Sequence, residues 1–200
     1  INPKTLTLTL TNSGYSQVYD GDAAADITPA WSFNGFISGD TSATIAYTGR
    51  NYNTANVTTA NLITVSGLSI TSVAGGNSSA PEDYVLDSTT KTANATITPK
   101  TVSLAVAPKV YDASTDMTGY VSITTGVGGE TLTYNGATSN DAHVATADKY
   151  LNAITLGNAS DGSGGLASNY QLPALNAANA LVTINPKTLT LTLTNSGYSQ

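Results

Sequence analysis

A short phrase occurs three times along this 200-residue chain and divides it before any secondary structure is considered. It reads INPKTL at residues 1–6, ITPKTV at 97–102 and INPKTL at 184–189, so the two spacings are 96 and 87 residues. Segments 1–17 and 184–200 are identical. Because a sequence period usually marks one repeated structural unit, we predict two tandem modules, 1–97 and 98–184. Residues 185–200 are then the first strand of a truncated third module.

Two further phrases recur inside each module. The first is VYDGD at 18–22 and VYDAS at 110–114, and the second is EDYVL at 82–86 and SNYQL at 168–172. They keep the same order relative to the INPKTL-type phrase in both modules. Three ordered landmarks in two divergent modules predict one fold for both.

The segment after each recurring phrase alternates apolar and polar residues, as in TLTLTLT at 5–11. Side chains of a strand point alternately to its two faces, so this alternation predicts a half-buried strand. The apolar positions are Leu6, Leu8 and Leu10, then Val102, Leu104 and Val106, then Leu189, Leu191 and Leu193. Other β-rich runs lie at 43–47, 62–71, 121–125, 130–134 and 181–184, and only 53–62 and 140–149 favour a helical turn or two. We predict a mostly β chain whose modules are immunoglobulin-like sandwiches or β-grasp-like units in an elongated array.

Each recurring phrase places a proline next to the predicted first strand of a module. These residues are Pro3, Pro99 and Pro186. Proline cannot donate a backbone hydrogen bond and is confined to strand ends and edges. The three prolines therefore predict short, stiff connections between modules.

Composition restricts the partners of the chain. The net charge is −6 and the pI about 4.3, so excess Lys and Arg to neutralise phosphates are absent and we expect no nucleic-acid partner. There is no cysteine, which leaves sheet packing and hydrogen bonds to hold the fold. No run approaches the roughly 18 apolar residues of a membrane helix, and we expect no membrane insertion.

Catalysis has few candidate residues in this sequence. His143 is the single histidine and lies in a polar, loop-like stretch. Acid–base or nucleophilic mechanisms that use imidazole would depend on this residue alone. We therefore expect no catalytic site and no enzymatic activity.

The recurring tyrosines and aspartates have a structural interpretation. Tyr19-Asp20 and Tyr111-Asp112 predict a half-buried ring followed by an aspartate that accepts hydrogen bonds from the next turn. Tyr84 and Tyr170 are predicted to be strand tyrosines that contribute to the core. The alternative for all four is a ligand site.

A calcium site is the one cofactor that the sequence brings into consideration. Asp20, Asp22 and Asp26 are closely spaced carboxylates. They do not follow the EF-hand pattern, and the second module has Ser114 where the first has Asp22. Turn formation is the preferred interpretation, and we expect no cofactor.

The landmarks together resemble the YDG/MBG-type tandem repeats of large bacterial surface adhesins, including filamentous-haemagglutinin-like proteins. Val18-Tyr-Asp-Gly21, the late Tyr-x-Leu phrase and the Ile97-Thr-Pro-Lys-Thr boundary carry the resemblance, which covers essentially the whole chain. The second module departs from it at Ala113, which replaces Gly21. Since alanine resists the left-handed conformation that glycine adopts freely, we expect the turn to differ between the modules.

The resemblance implies an extracellular protein at a bacterial cell surface, with roles in adhesion and biofilm formation. It implies spacer repeats that project a distal binding region, act as monomers and contact neighbouring repeats of the same chain. The alternative is an adhesive module that binds a glycan or a host surface protein. The aromatic residues Trp31, Phe33 and Phe36 favour such a site if exposed, but the second module has no aromatic counterpart, and core packing is the preferred interpretation.

Overall fold

The computed structural model describes residues 1–194 and 197. The mostly β prediction is confirmed: strands and short turns make up the described chain, together with two 3₁₀ helices. No helix in this part of the chain has the length and apolar character needed to cross a membrane. The chain folds as two compact units, residues 1–100 with 168–171 and residues 101–167 with 172–200.

Residues 1–98 of unit 1 contain nine strands and one 3₁₀ helix at Pro81–Asp83. One sheet has the order β3-β1-β8, a second has the order β2-β9-β6-β5, and β4 pairs with β7. The strands are β1 Lys4–Leu10, β2 Tyr15–Val18, β3 Trp31–Asn34, β4 Asp40–Ala46, β5 Gly49–Tyr52, β6 Leu62–Ser66, β7 Ser69–Gly75, β8 Tyr84–Leu86 and β9 Thr90–Thr98.

The alternating burial predicted for the first strand is confirmed. Leu6, Leu8 and Leu10 are 0%, 1% and 5% exposed, and the intervening threonines are exposed. Burying one leucine side chain contributes about 2 kcal/mol, so this strand supplies a substantial part of the unit 1 core. The rest of that core includes Ile27, Ile63, Val65, Leu68 and Ile97.

Two parallel pairings join the beginning of unit 1 to its end. β1 pairs with β8, with Lys4 opposite Tyr84, and β2 pairs with β9, with Tyr15 opposite Ala95 and Val18 opposite Thr98. In both pairs the partners are 80 residues apart, so one register runs through both. The start and the end of unit 1 are therefore held together by two parallel strand pairs.

Unit 2 contains shorter strands and, like unit 1, a parallel pair between an early strand and a late strand. β11 pairs with β13 and β14 with β15 in antiparallel fashion, and β12 pairs with β17 in parallel. The strands of unit 2 are β11 Ser103–Val106, β12 Lys109–Val110, β13 Val121–Thr124, β14 Thr133–Ser139, β15 Leu151–Gly157 and β17 Ile184–Asn185. Strand β10, Lys100–Thr101, spans the sequence boundary between the units, and β16, Tyr170–Gln171, lies in the unit 1 segment 168–171 together with most of a second 3₁₀ helix at Ala167–Asn169.

The core of unit 2 is built mainly from strands later than its first one. Val102 is 2% exposed, whereas Leu104 and Val106 are half-buried. The buried cluster is Met117, Val121, Ala137, Leu151, Ile154, Ala180, Val182 and Ile184. The same alternating pattern thus contributes less to the core here than in unit 1.

Several boundaries differ from the sequence prediction. The run 62–71 forms two strands that separate at Gly67, which has a φ of 65°. The run predicted at 130–134 begins at Thr133 instead and extends to Ser139. Segments 53–62 and 140–149 contain no helix, although Ala60 N donates to Asn56 O over 2.8 Å in a single turn.

The C-terminal copy of the repeated segment is placed differently from the N-terminal copy. Only Ile184 and Asn185 lie in a strand, and Leu189, Leu191 and Leu193 are 87%, 97% and 85% exposed. The prediction of a first strand over 185–200 is therefore wrong for residues 186–194, with which no strand in the described part of the chain pairs; residues 195, 196 and 198–200 lie outside the described residues. The prolines lie at strand ends, as predicted, since Pro3 precedes β1, Pro99 follows β9 and Pro186 follows β17.

Candidate functional site

The Tyr19-Asp20 turn of unit 1 is held by side chains that bond to one another and to the backbone. Tyr19 is 4% exposed, and Asp20 Oδ1 accepts a 3.2 Å hydrogen bond from the Asp22 amide. Gln17 Nε2 donates to Asp20 Oδ2 at 2.8 Å and to Ala24 O at 3.2 Å. Asp22 Oδ1 in turn accepts from the Ala24 amide at 2.7 Å. The side chains of Gln17, Asp20 and Asp22 therefore each bond to another group of this turn.

Unit 2 repeats this network with a different donor. Lys109 occupies the place of Gln17, is 3% exposed, and donates from Nζ to Asp116 O at 2.7 Å and Ser114 O at 3.1 Å. Its ammonium also lies 2.9 Å from Asp112 Oδ1. The hydrogen bond from Lys109 is the main cause that lowers the pKa of Asp112. A buried lysine thus performs in unit 2 the bridging role that an amide performs in unit 1.

The backbone amides of the two turns are satisfied in the same way. The Ser114 amide donates to Asp112 Oδ1 at 3.0 Å, and the Asp116 amide donates to Ser114 Oγ at 3.0 Å. These bonds correspond one for one to those that Asp20 and Asp22 accept in unit 1. Replacement of Asp22 by Ser114 preserves the turn because an aspartate or a serine can accept this local bond.

The expectation that Ala113 changes the turn is wrong. Gly21 has a φ of 101° and Ala113 has a φ of 67°, so both backbones are left-handed at this position. The alanine adopts a conformation that costs about 1–2 kcal/mol relative to the right-handed region. The surrounding hydrogen bonds of unit 2 hold it there.

Two of the three carboxylates considered for calcium accept hydrogen bonds within the turn. Asp20 and Asp22 accept the backbone hydrogen bonds described above, whereas Asp26 bonds through its backbone amide, which donates to Gln17 Oε1 at 2.9 Å. Among the described residues, no group of three or more His, Cys, Asp or Glu side chains is arranged to hold a metal ion. The local geometry is that of a hydrogen-bonded turn.

A second polar cluster in unit 1 surrounds Asp40, which sequence reasoning did not single out. Asp40 is 8% exposed, and its Oδ2 accepts hydrogen bonds from Tyr84 Oη and Ser79 Oγ, both at 2.7 Å. Asn77 Nδ2 donates to Asp40 Oδ1 at 3.1 Å. The hydrogen bonds, first from Ser79 and then from Tyr84, lower the pKa of Asp40. The carboxylate is therefore charged at neutral pH and fully engaged.

Tyr84 links this cluster to the predicted aromatic residues. Its ring packs edge-on against Phe36 at a centroid distance of 5.6 Å, and Phe36 lies 5.5 Å from Phe33. The Ile37 amide donates to Tyr84 Oη at 3.1 Å, and burial is the main cause that raises the pKa of Tyr84. Trp31, Phe33 and Phe36 are half-buried, and in unit 2 Val121 and Ile123 take the corresponding pairing positions. Tyr84 is thus both a core ring and a hydrogen-bond donor.

Two shallow clefts flank Tyr84 in unit 1. One has a volume of about 480 Å³ and is lined by Lys4, Ile37, Ser79, Glu82 and other residues. The other, of about 400 Å³, has a mainly apolar lining that includes Leu68 and Val85. They are the concave surfaces of unit 1 nearest to a predicted site residue.

The remaining predicted residues are placed in structural settings. Tyr170, in the segment 168–171 that belongs to unit 1, packs edge-on against Tyr19 at 5.4 Å. His143 is exposed, and its ring stacks on that of Tyr111 at 6.3 Å. The glycine-rich loop near 161 is closed by Asp161, which accepts from Thr131 Oγ1 at 2.7 Å, and these hydrogen bonds lower its pKa to about 2.

The fold and its turns define a class of protein, a β-rich repeat module whose final strands pair in parallel with its first strands. The family model of the YDG domain matches residues 2–93. These residues form a YDG domain. No curated protein and no solved structure shows significant similarity to the chain.

Proposed function

We propose that the chain consists of structural spacer repeats of an exported bacterial adhesin, which project a distal binding region from the cell surface. The observation that carries this proposal is the recurrence of one internal hydrogen-bond network in both units. Gln17 and Lys109 differ chemically, yet both bridge the aspartate of the turn to a backbone carbonyl. What recurs is therefore the framework that holds each unit, as expected for a repeat whose role is to fold and persist.

The surface features of the two units support the same proposal. The aromatic residues of β3 in unit 1 correspond to aliphatic residues of β13 in unit 2. A ligand site repeated along an array would keep its aromatic side chains. On this proposal the partners are neighbouring repeats, the protein lies outside the cell, and the chain has no enzymatic activity.

The test is binding of the purified chain to a glycan array and to immobilised host surface proteins. We expect no saturable binding, because the recurrent polar groups are engaged internally. Saturable binding with micromolar affinity would overturn the spacer proposal. Accessibility of the chain to protease on intact producing cells tests the proposed location, and protection until the cells are lysed would contradict it.

The cleft of about 480 Å³ favours one alternative, an adhesive module that binds a glycan or a host protein in unit 1. Glu82 and Lys4 supply both charge signs at its lining, beside Tyr84. If binding is observed, Glu82→Ala should weaken it on this alternative. The control is Thr41→Ala on the exposed surface of β4, which should leave the binding unchanged.

A further inference from the structure

The segments that begin and end unit 1 lie side by side and run in the same direction. Lys4 to Leu6 pair with Tyr84 to Leu86, and Tyr15 to Val18 pair with Ala95 to Thr98. The offset of 80 residues is constant across both pairs. Residues 4–18 and 84–98 are therefore joined by two parallel pairings in the same register, which we call the parallel contact.

Hydrogen bonds outside the regular pairing extend this contact. The Asp87 amide donates to Leu6 O at 3.1 Å, and the Leu8 amide donates to Asp87 Oδ1 at 3.1 Å. At the other end the Gly14 amide donates to Asn94 O at 2.8 Å and the Tyr19 amide to Thr98 O at 2.9 Å. The two segments are thus also bonded between the two pairings and just after the second one.

The places where the chain enters and leaves unit 1 lie at opposite ends of this contact. Lys4 is level with Tyr84, at the start, whereas Thr98 is level with Val18, at the finish. Tension along the chain pulls β1 toward its N-terminus and β9 toward its C-terminus. The two segments are therefore pulled past each other, along the strand axis and across the hydrogen bonds.

We propose that this parallel contact is a mechanical clamp that lets unit 1 resist tension along the chain. Because the backbone bonds between parallel strands lie across the direction of pull, several must break together before the strands separate. Pulling at neighbouring ends would instead break them one at a time. Use of the clamp in a cell rests on the proposed spacer function, whereas the resistance itself is a property of the unit.

Flanking strands hold each half of the clamp in place. β3 pairs with β1 on the side away from β8, and β6 pairs with β9 on the side away from β2. Leu6, Leu8 and Leu10 are buried beneath the contact. β1 therefore cannot slide without also breaking its pairing with β3 and exposing these leucines.

Single-molecule force spectroscopy on the full chain tests the clamp. The chain has no cysteine, so Ile1→Cys and Val18→Cys give unique attachment points, each pulled against the C-terminus. Ile1 and Val18 are both exposed. Pulling from residue 1 shears the parallel contact along the strands. Pulling from residue 18, which lies opposite Thr98, peels β2 from β9 one hydrogen bond at a time. With four paired positions in β2 and β9, we expect the rupture force from residue 18 to be roughly half or less of that from residue 1.

The unit 1 step is assigned by a reversible crosslink. Ser16 and Thr96 are exposed and directly opposite each other, and neighbouring strands lie about 4.8 Å apart, within reach of a disulfide. For this measurement residue 1 is attached through an N-terminal peptide tag instead of a thiol, so that Ser16→Cys and Thr96→Cys supply the two thiols of the chain. In the reduced chain the step should lengthen the molecule by roughly 300 Å. With Ser16→Cys and Thr96→Cys oxidised, this step should shrink to roughly 50 Å because residues 17–95 stay enclosed.

Equal rupture forces from the two attachment points would overturn the clamp, as would extension of unit 1 from residue 1 without a force peak. If Val18→Cys lowers the thermal midpoint, Asp22→Cys in the exposed turn after β2 replaces it as the attachment point. The outcome is separable from that of the proposed function. Saturable ligand binding would overturn the spacer proposal, but it would not change the expected difference in rupture force between the two attachment points.

Discussion

The hydroxyl of Tyr84 donates a 2.7 Å hydrogen bond to Oδ2 of Asp40, a residue 44 positions earlier in the chain. Both side chains are buried, and the bond ties β8 to the start of β4. Tyr84→Phe keeps the ring contact with Phe36 and removes the donor. Because Asp40 then loses one partner in a buried setting, we expect the thermal midpoint of unit 1 to fall by several degrees. Val85→Ala, on the exposed face of the same strand, is the matched control, and an equal fall there would contradict this role for the bond.

Replacement of Ala113 by glycine should stabilise unit 2. Ala113→Gly removes the left-handed strain, offset in part by greater freedom of the unfolded chain, so unit 2 should gain roughly 0.5–1 kcal/mol. The reciprocal change Gly21→Ala, with the same offset, should destabilise unit 1 by roughly 0.5–1 kcal/mol. Urea unfolding of each variant measures both, and a loss of stability in Ala113→Gly would show that the φ of this residue carries no strain.

Lys109 should be replaceable by glutamine but not by an apolar residue. Lys109→Met removes the charged donor that bonds to the carbonyls of Ser114 and Asp116, which should cost about 2–3 kcal/mol. Lys109→Gln restores the donor that unit 1 uses at Gln17 and should cost about 1 kcal/mol or less. Chemical denaturation compares the two variants. Equal losses would mean that charge, rather than donation to the turn, is what unit 2 requires.

Acid should destabilise both units over a defined range of pH. Hydrogen bonds lower the pKa of Asp40, Asp112 and Asp161 in the folded state, the last to about 2. A lowered folded pKa means that the unfolded chain binds the proton first, so the stabilisation is complete above the ordinary value of 3.8 and is lost as the pH falls toward 2. Urea midpoints measured between neutral pH and pH 2 should fall mainly below pH 4. Asp161→Asn should reduce the slope for unit 2, and an unchanged slope would assign the effect to other carboxylates.

The repeated segment allows one sequence to be tested in two settings. Leu8→Ala in buried β1 should cost about 2–5 kcal/mol, whereas Leu191→Ala, at the equivalent exposed position, should change stability by no more than about 0.5 kcal/mol. Thermal unfolding of both variants measures the difference. Similar losses would show that the C-terminal copy is also packed in solution.

Local patterns in the sequence predict the strands better than they predict their partners. The alternation at 5–11 identified β1 and the correct buried face because a period of two is decided within the segment itself. The parallel pairing with β8 is not predictable in this way, since it joins residues 80 apart. The same limit applies to residues 188–194. Their sequence alternates in the same way, but their leucines are exposed because no strand in the described structure pairs with this segment.

The site was predictable where a motif repeated and not where its chemistry varied. The Tyr-Asp turns were found because their letters recur. Gln17 and Lys109 were missed because the two side chains share a donor and little else, although both lie two residues before the tyrosine. Asp40 was missed because its partners, Ser79 and Tyr84, follow it by about 40 residues.

The constant offset of 80 residues also determines when unit 1 can fold. β1 and β2 meet their parallel partners only after residues 84–98 are available, so the contacts that close the unit have very large sequence separation. Such contacts form slowly because the intervening chain must first be ordered. A chain that emerges from a ribosome or a secretion pore N-terminus first must therefore carry Leu6, Leu8 and Leu10 uncovered until about residue 98 has emerged. Folding then proceeds in increments of one whole module.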